Sequence, residues 1–191
     1  EEDADESVTL SMIRLLAHCC YAVYDDDLSE DSLKEPILPD YETDLMLHSL
    51  ELREVIRDSQ EEYCALIAKG TYASNENVAI IAFRGTASVE NVWTDLNLKL
   101  ADVEAPNIAA IAEELHIRGV RVHRGFQEAM LAMRDDLLRQ ISELECEIIW
   151  VTGHSLGGAL ATLVAVELHL ALKQAKSQSS ISLCTFGCPR V

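Results

Sequence analysis

One serine in this sequence has the residue type and spacing of a nucleophile: Ser155, in the stretch Gly153-His154-Ser155-Leu156-Gly157. This stretch fits G-x-S-x-G, a pattern that sets a serine in a sharp turn between a strand and a helix. The two glycines keep the crossing backbones free of Cβ atoms, and the strained turn exposes the hydroxyl. The helix N-terminus that follows would favour a developing oxyanion. The alternative interpretation is a structural glycine turn with an inert serine.

The residues on both sides of this turn have the composition of a strand and of a buried helix. Ile148 to Val151 is a short apolar run, and residues 159–172 are a strong helix former interrupted only by Glu167 and His169. A helix that is apolar nearly all round is buried. With a further apolar strand at 181–186, the order strand, helix, strand predicts parallel pairing through a right-handed crossover.

The upstream elements follow from apolar periodicity. We expect helices at about 8–24, 42–57, 108–115 and 127–145, and strands at 63–68 and 78–83 that form a hairpin around Asn75-Glu76-Asn77. The second strand of this hairpin has no alternation of apolar and polar residues, so it should be buried on both faces. Residues 94–121 are expected to be irregular outside their short helix. The predicted fold class is α/β, a mixed, mostly parallel sheet with helices packed on it.

Length and charge limit the classes of protein that fit. The 191 residues suit a single domain with a full core, in which 1–60 is an acidic helical lead-in and 61–191 is the core. The net charge is −18, and residues 1–60 hold 17 acidic and 4 basic side chains. This excess of acid disfavours nucleic acid as a partner and electrostatic docking on anionic membranes. No run reaches about 18 uncharged apolar residues, so no transmembrane segment is predicted.

The chain starts Glu-Glu-Asp-Ala-Asp-Glu, without Met and without a signal peptide, which suggests that it is cut from a longer protein. The localisation therefore stays unknown. The six cysteines have no zinc-site spacing, so buried free thiols are expected, and a disulfide stays open if the protein is secreted. Asp25 to Asp27 lacks the spacing of a calcium loop. No cofactor and no metal ion are predicted.

Five motifs follow one another over about residues 63–191. They are Ile80–Thr86, Trp93–Leu96, Val122–Phe126, Val151–Ala161 and Thr185–Val191. Together they resemble the class 3 lipase family, the fungal-type triacylglycerol lipases of the α/β-hydrolase fold. The resemblance implies that fold, with a helix from the first 60 residues lying across the sheet. It also implies a serine hydrolase that cleaves carboxylic esters of lipids through an acyl-enzyme.

The resemblance implies roles for residues close to the elbow at Ser155. Ser155 would be the nucleophile that attacks an ester carbonyl and becomes acylated. The N–H groups of Leu156 and Thr86 would form the oxyanion hole, with the Thr86 hydroxyl as a third donor. Asp95 is similar to a family carboxylate that lies close to the oxyanion residue and would order that hydroxyl. A Thr86 that simply ends a strand is the alternative.

The segment from Ser88 to Trp93 resembles the family's lid, a short amphipathic helix that moves to admit lipid. Val89, Val92 and Trp93 would be its apolar side, although Trp93 also fits a place in the core. A lipid or other ester is therefore the expected substrate, with apolar contact to a lipid interface through the lid. Triacylglycerol is the first choice, and phospholipids, mono- or diacylglycerols and feruloyl esters fit the same motifs.

A serine nucleophile needs a histidine base that is oriented by a carboxylate, and in this fold the chain order is serine, acid, histidine. After Ser155 the sequence offers only Glu167 and His169, roughly 18–21 Å along the helix axis and out of reach. The triad Asp and His are therefore expected downstream of residue 191, and the chain alone is expected to be inactive. A catalytically dead lipase-like scaffold for protein–protein interaction is the alternative. His154, beside the nucleophile, is expected to point away from it.

Overall fold

The computed structural model describes residues 2–34, 50–57, 63–72, 76–85 and 100–189. Its elements in chain order are α1 (Glu2–Ala22), α2 (Glu30–Lys34), β1 (Glu51–Arg57), β2 (Cys64–Tyr72), β3 (Glu76–Phe83), β4 (Leu100–Asp102), α3 (Pro106–Glu114), β5 (Arg121–His123), α4 (Arg124–Leu144), β6 (Ile148–His154), α5 (Leu156–Gln174) and β7 (Ser180–Phe186). The acidic start of α1 and the proline at the start of α3 are both favoured at helix N-termini.

Five strands form the main sheet of the described part of the chain, in the order β1-β2-β3-β6-β7. β3 pairs with β6 and β6 with β7 in parallel, whereas β2 is antiparallel to both β1 and β3. Four of these five strands therefore run in one direction. The predicted mixed, mostly parallel sheet is confirmed, including the parallel pairing of the strands on either side of α5.

Helices cover both faces of this sheet. On one face α4 and α5 form a core with the strands, for example through Leu137 and Ile149. On the other face α1 packs against β2 and β3, for example through Leu16 and Leu66. β3 lies between the two cores, and its residues 78–83 are at most 1% exposed, as their unbroken apolar run predicts. The carboxyl ends of β3, β6 and β7 thus lie side by side between two helical layers.

The helix predicted at 42–57 is wrong over the residues described there. Glu51–Arg57 is the edge strand β1, which pairs with β2, and residues 42–49 lie outside the described residues. The leucine and isoleucine spacing of such a short stretch fits a helix or a strand equally well. The hydrogen-bonding edge of β2 decides between them, because strand formation depends on context more than on intrinsic preference.

Three other boundaries differ from the sequence-based expectation. Residues 94–121, expected to be irregular outside the short helix, contribute β4, and β4 pairs antiparallel with β5. Strands of three residues are too short to show a periodicity. The turn expected at Asn75-Glu76-Asn77 falls partly inside β3, which begins at Glu76. The first helix begins at Glu2 rather than near residue 8, since its acidic first turn suits the helix dipole.

One helix among the described residues, α5, is long and apolar enough by length and composition to cross a membrane. The stretch that meets this test is 61% buried within the protein. It packs on β6, β7 and α4, and its interior-facing residues belong to the main core. Its composition is therefore accounted for by burial between the sheet and α4, as the sequence predicts.

Candidate active site

Ser155 stands at the junction of β6 and α5 in a strained backbone conformation. Its φ is +54° and its ψ is −123°, which residues with a side chain rarely adopt. Its backbone N–H donates a hydrogen bond of 2.9 Å to the carbonyl oxygen of Phe186 at the end of β7. The predicted strained turn is confirmed. Among the described residues no partner is recorded for the Ser155 hydroxyl, which is half-buried at the carboxyl edge of the sheet.

Two glycines allow the close approach that this turn requires. A Cβ at Gly153 would overlap the carbonyl group of Gly157, so the end of β6 and the first turn of α5 could not pass so close to each other. A Cβ at Gly157 would overlap the carbonyl oxygen of Phe83, so α5 could not approach the end of β3. Both glycines are therefore fixed by backbone contact, and they bring β3, β6 and α5 together at one point.

The turn Arg84-Gly85 after β3 lies directly against this point. A Cβ built on Gly85 would be 2.9 Å from the carbonyl oxygen of His154, so the two segments are in backbone contact. The residues that follow α1 hold the turn from the other side. The Gly85 N–H donates a hydrogen bond of 3.2 Å to the Tyr24 hydroxyl, and Arg84 Nη1 lies 3.1 Å from Asp26 Oδ1. The residue that follows Gly85 therefore starts beside the elbow.

Of the predicted oxyanion residues, only Leu156 is described. It is the first residue of α5, and the N–H groups of a first helical turn have no acceptor within their helix. Its side chain is buried among Val122, Phe126 and Leu163. The other predicted site residues lie outside the described residues: Thr86, the lid residues Ser88, Val89, Val92 and Trp93, and Asp95. Their roles stay predictions.

His154 faces a cavity on the α1 side of the sheet. This cavity has a volume of about 310 Å³ and is lined by Ala17, Cys20, Tyr21, Tyr24, His154 and Phe186. Aromatic side chains form most of its wall, and the Tyr24 hydroxyl borders it. The cavity thus adjoins the residue that precedes Ser155 and lies on the sheet face opposite α5.

The comparisons with known proteins bear on this arrangement. A family model described as lipase (class 3) matches residues 80–191. The chain belongs to the class 3 lipase family. The matched range includes the Arg84-Gly85 turn, the elbow and the strand β7 that accepts the Ser155 N–H, so the described part of the site lies within the family's own sequence pattern.

Individual lipases match this chain over part of their own length. A lipase of Rhizomucor miehei is 33% identical over 131 residues, which is 66% of this chain and 32% of that protein. A secreted mono- and diacylglycerol lipase 2 of Gibberella zeae is 31% identical over 137 residues, covering 64% of this chain and 32% of that protein. The chain therefore spans about a third of the length of these curated relatives.

A solved structure shows the same fold. It is a triacylglycerol lipase whose catalytic centre is formed by a serine protease triad, with a TM-score of 0.68 and 23% identity. The likeness covers 95% of this chain and 63% of that one. The α/β-hydrolase fold that the sequence motifs imply is thus confirmed for this class 3 lipase family member, including the α1 region before the family match.

Glu167 has a structural role in this lipase-family chain. The residue is 1% exposed, and its carboxylate accepts hydrogen bonds from the Asn107 side-chain amide at 2.8 Å and the Ile108 N–H at 3.2 Å, both in the first turn of α3. Arg134 Nε on α4 also donates a bond of 2.8 Å, and this bond raises the Arg134 pKa. Glu167 thus ties three helices together, while His169 is exposed farther along α5.

Two other histidines are held by the fold. His18 Nε2 lies 2.7 Å from the Leu33 carbonyl oxygen, and burial lowers the pKa of this side chain. The centre of the His123 ring lies 4.6 Å from that of Phe126, with the two ring planes tilted by 44°, and burial lowers the pKa of His123 too. Its Nδ1 has no hydrogen-bond partner among the residues that the structure describes. Lowered pKa values keep both rings neutral near pH 7, which suits packing.

The cysteines and the acidic side chains that the structure describes form no ligand cluster. All six cysteines, which fall within the described ranges, are free thiols. Within those ranges no group of three or more His, Cys, Asp or Glu side chains is arranged to hold a metal ion. The Cys20 thiol lies 3.2 Å from the Thr152 hydroxyl and its pKa is raised to about 11 by burial. Cys19, Cys20, Cys64 and Cys146 are buried, and burial raises the pKa of each of these thiols, so their deprotonation is unfavourable.

Proposed function

We propose that this member of the class 3 lipase family is a serine hydrolase that cleaves carboxylic esters of lipids, with Ser155 as its nucleophile. The observation that carries the proposal is the conformation of Ser155, at φ +54° between β6 and α5. Backbone strain of this kind costs about 1–3 kcal/mol and persists where the surroundings enforce it. Here the glycines and the hydrogen bond to Phe186 enforce it, and the hydroxyl is held at the carboxyl edge of the sheet.

The proposed reaction has two acyl-transfer steps. Ser155 Oγ attacks the ester carbonyl carbon and gives its proton to a histidine base, and the carbonyl oxygen becomes an oxyanion. The N–H groups of Leu156 and Thr86 donate to that oxygen, with the Thr86 hydroxyl as third donor and Asp95 ordering it. The alcohol leaves with the proton from the histidine. Water then attacks the acyl-enzyme by the same route and releases the fatty acid.

In this proposal the base and its carboxylate come from sequence that residues 1–191 do not include. The Glu167 carboxylate is occupied by Asn107, Ile108 and Arg134, and His169 lies roughly 20 Å from Ser155 along α5. The activity is therefore assigned to the whole protein, and residues 1–191 alone are proposed to be inactive. No cofactor is needed, since serine esterolysis uses none.

The proposed substrate is a lipid ester that reaches the site from an apolar interface. Triacylglycerol is the first candidate, and mono- and diacylglycerols, phospholipids and feruloyl esters are the alternatives. The proposed lid runs from Ser88 to Trp93, and its apolar residues Val89, Val92 and Trp93 would contact the lipid surface. The net charge of −18 supports apolar rather than electrostatic contact with that surface.

Steady-state hydrolysis by the full-length protein tests this function. Short-chain p-nitrophenyl esters and emulsified triacylglycerol serve as substrates. Ser155→Ala is compared with Ser180→Ala, because Ser180 starts β7 at the end away from the elbow. We expect Ser155→Ala to lower kcat by about 10⁵-fold or more and Ser180→Ala to leave it within about twofold. An unchanged rate for Ser155→Ala would exclude the proposed nucleophile. No hydrolysis by the unmodified protein would favour a scaffold without catalytic activity.

A further inference from the structure

The residues that directly follow α1 contact the turn that leads into the proposed oxyanion hole. Tyr24 Oη accepts a hydrogen bond of 3.2 Å from the Gly85 N–H. Gly85 is buried and in backbone contact with His154 and Gly157, one residue before Thr86. We propose that Tyr24 is a positioning residue, which holds the Arg84-Gly85 turn against the elbow, directly before the proposed oxyanion donor Thr86 in the sequence. This inference rests on the proposed function.

Tyr24 is itself fixed against the rest of the chain. Its backbone N–H donates to the Tyr21 carbonyl oxygen at 3.0 Å, which closes the last turn of α1. The preceding residue, Val23, is fully buried in the core between α1 and the sheet. Burial raises the pKa of the Tyr24 hydroxyl, so this group stays neutral at ordinary pH. A rigid helix end thus sets the position of the hydroxyl that meets Gly85.

A second contact joins the same two segments, and its energetics differ. Arg84 Nη1 lies 3.1 Å from Asp26 Oδ1, but the Asp26 side chain is 91% exposed. Water and salt screen such a pair, which therefore contributes little to holding the turn. The Gly85 N–H is buried, and a buried donor that loses its acceptor is left unsatisfied. The geometry therefore assigns the positioning role to Tyr24 rather than to Asp26.

The consequence for the reaction follows from the geometry of an oxyanion hole. Donors act only when they lie at about 2.7–3.1 Å from the developing oxyanion, and the loss of one donor lowers kcat by about 10²–10³-fold. Tyr24→Phe keeps the ring in the core and removes only the acceptor for Gly85. The turn would then shift rather than disappear, and we expect kcat to fall about tenfold while KM stays within about twofold.

Two measurements on Tyr24→Phe test this role. Amide hydrogen exchange of the peptide that contains Gly85 is followed in residues 1–191, and kcat and KM are measured in the full-length protein. Tyr21→Phe is the matched control, because Tyr21 lines the same cavity one turn earlier and is 65% exposed. Asp26→Asn is the second comparison. We expect faster exchange at Gly85 and the kcat loss for Tyr24→Phe alone, with little change for either comparison.

Each other outcome contradicts the role of Tyr24. Unchanged exchange at Gly85 in Tyr24→Phe would show that the hydrogen bond does not hold the turn. Faster exchange with an unchanged kcat would show that the turn is held but does not position the oxyanion donor. A KM rise with unchanged kcat would place Tyr24 in substrate binding instead. If the unmodified protein has no Ser155-dependent hydrolysis, the proposed function fails and the positioning role falls with it, although the exchange measurement still reports the contact.

Discussion

At the scale of single residues, the site is defined by backbone contacts that only glycine permits. The strained φ of Ser155 survives because the segments around it cannot move apart independently. Gly153 and Gly157 leave no room for a Cβ, and the obstructing atoms belong to the backbone of Gly157 and Phe83. A flexible side chain could turn away, whereas a sheet strand cannot. The elbow is therefore sensitive to a single added methyl group.

Gly157→Ala should destabilise the fold strongly, because the new Cβ would overlap the Phe83 carbonyl oxygen at the centre of the sheet. We expect a loss of about 3 kcal/mol in the free energy of unfolding, or no folding at all. Gly125→Ala is the control, since its Cβ would lie 3.4 Å from the His123 side chain. Urea unfolding of both variants measures the difference. Equal stability of the two would show that β3 and α5 are not in this close contact.

The sequence indicates local motifs but not contacts between residues that lie far apart along the chain. Ser155 and its glycines are predictable because a fixed spacing carries their chemistry. The contact between Tyr24 and Gly85 joins residues 61 positions apart, and no local pattern indicates it. The same holds for Arg134 and Glu167, which are 33 positions apart and belong to two different helices. Pairing of this kind depends on how the helices pack, which a periodic pattern does not specify.

At the scale of elements, α5 links the elbow to the helical layer on its face of the sheet. The proposed nucleophile Ser155 caps its start, the proposed oxyanion donor Leu156 is its first residue, and its fourth turn carries Glu167. The Glu167 carboxylate satisfies N–H groups at the start of α3, which α3 itself cannot satisfy. Arg134 on α4 balances the charge. A buried carboxylate is thus stabilised by a helix N-terminus and a guanidinium together.

Glu167→Ala should cost about 3 kcal/mol in the free energy of unfolding, because it leaves Arg134 Nε and the Ile108 N–H in the first turn of α3 without their acceptor. Glu128→Ala removes a similar partner from Arg124, but that pair is exposed. Its loss should cost less than about 1 kcal/mol. Chemical denaturation at constant salt compares the two variants. Similar losses for both would contradict a buried helix-bridging role for Glu167.

The packing of α1 on β6 predicts a pH dependence. Burial raises the Cys20 pKa to about 11, against an ordinary value near 9. A raised folded-state pKa gives stability that is complete below the unfolded value and is lost as pH rises toward the folded one. The free energy of unfolding should therefore fall between about pH 9 and about pH 11. The buried Cys19 and the half-buried Tyr24 hydroxyl, whose pKa values are also raised, act in the same direction.

Unfolding in urea under reducing conditions, at about pH 8 and about pH 10, measures this loss. Cys20→Ala should make the fall of the free energy of unfolding with pH shallower. Cys188→Ala is the control, because Cys188 packs against a different cluster, that of Val122 and Phe126. An equal decline in both variants would show that the Cys20 thiol is not buried against Thr152.

At the scale of the whole molecule, we propose that residues 1–191 form one domain in which the acidic lead-in is part of the core. Leu16 of α1 and Val23 directly after α1 are fully buried, and they belong to the core on that face of the sheet together with Leu66 and Ile80. β1 covers the edge of β2. The division at residue 60 that charge suggests therefore does not coincide with a division in packing. The distribution of charge along the sequence describes the solvated surface, whereas the apolar residues beneath that surface determine the packing.

Residues 61–191 expressed alone should fail to fold cooperatively, because the α1 face of the sheet would lose its cover. Residues 1–191 should unfold in a single transition. Circular dichroism and urea titration of the two proteins provide the comparison. A cooperative, native-like transition in 61–191 would show that the lead-in is a separate addition to the core.

The sheet and its helices were largely predictable, because long apolar runs such as 78–83 and 159–172 leave few alternatives. The edge strand β1 was not predictable. The spacing of apolar residues in its seven positions fits a helix or a strand, and pairing with β2 makes it a strand. The roles of Thr86, Asp95 and the lid depend on the resemblance and stay predictions.

Fluorophosphonate labelling of the full-length protein, with the modified residue located by peptide mass spectrometry, tests the central claim most directly. The reagent reacts with a serine only when a base activates it and an oxyanion hole receives the phosphoryl oxygen. We expect one adduct, on Ser155, which Ser155→Ala abolishes and Ser180→Ala leaves intact. An adduct on another serine, or none at all in a folded protein, would contradict it.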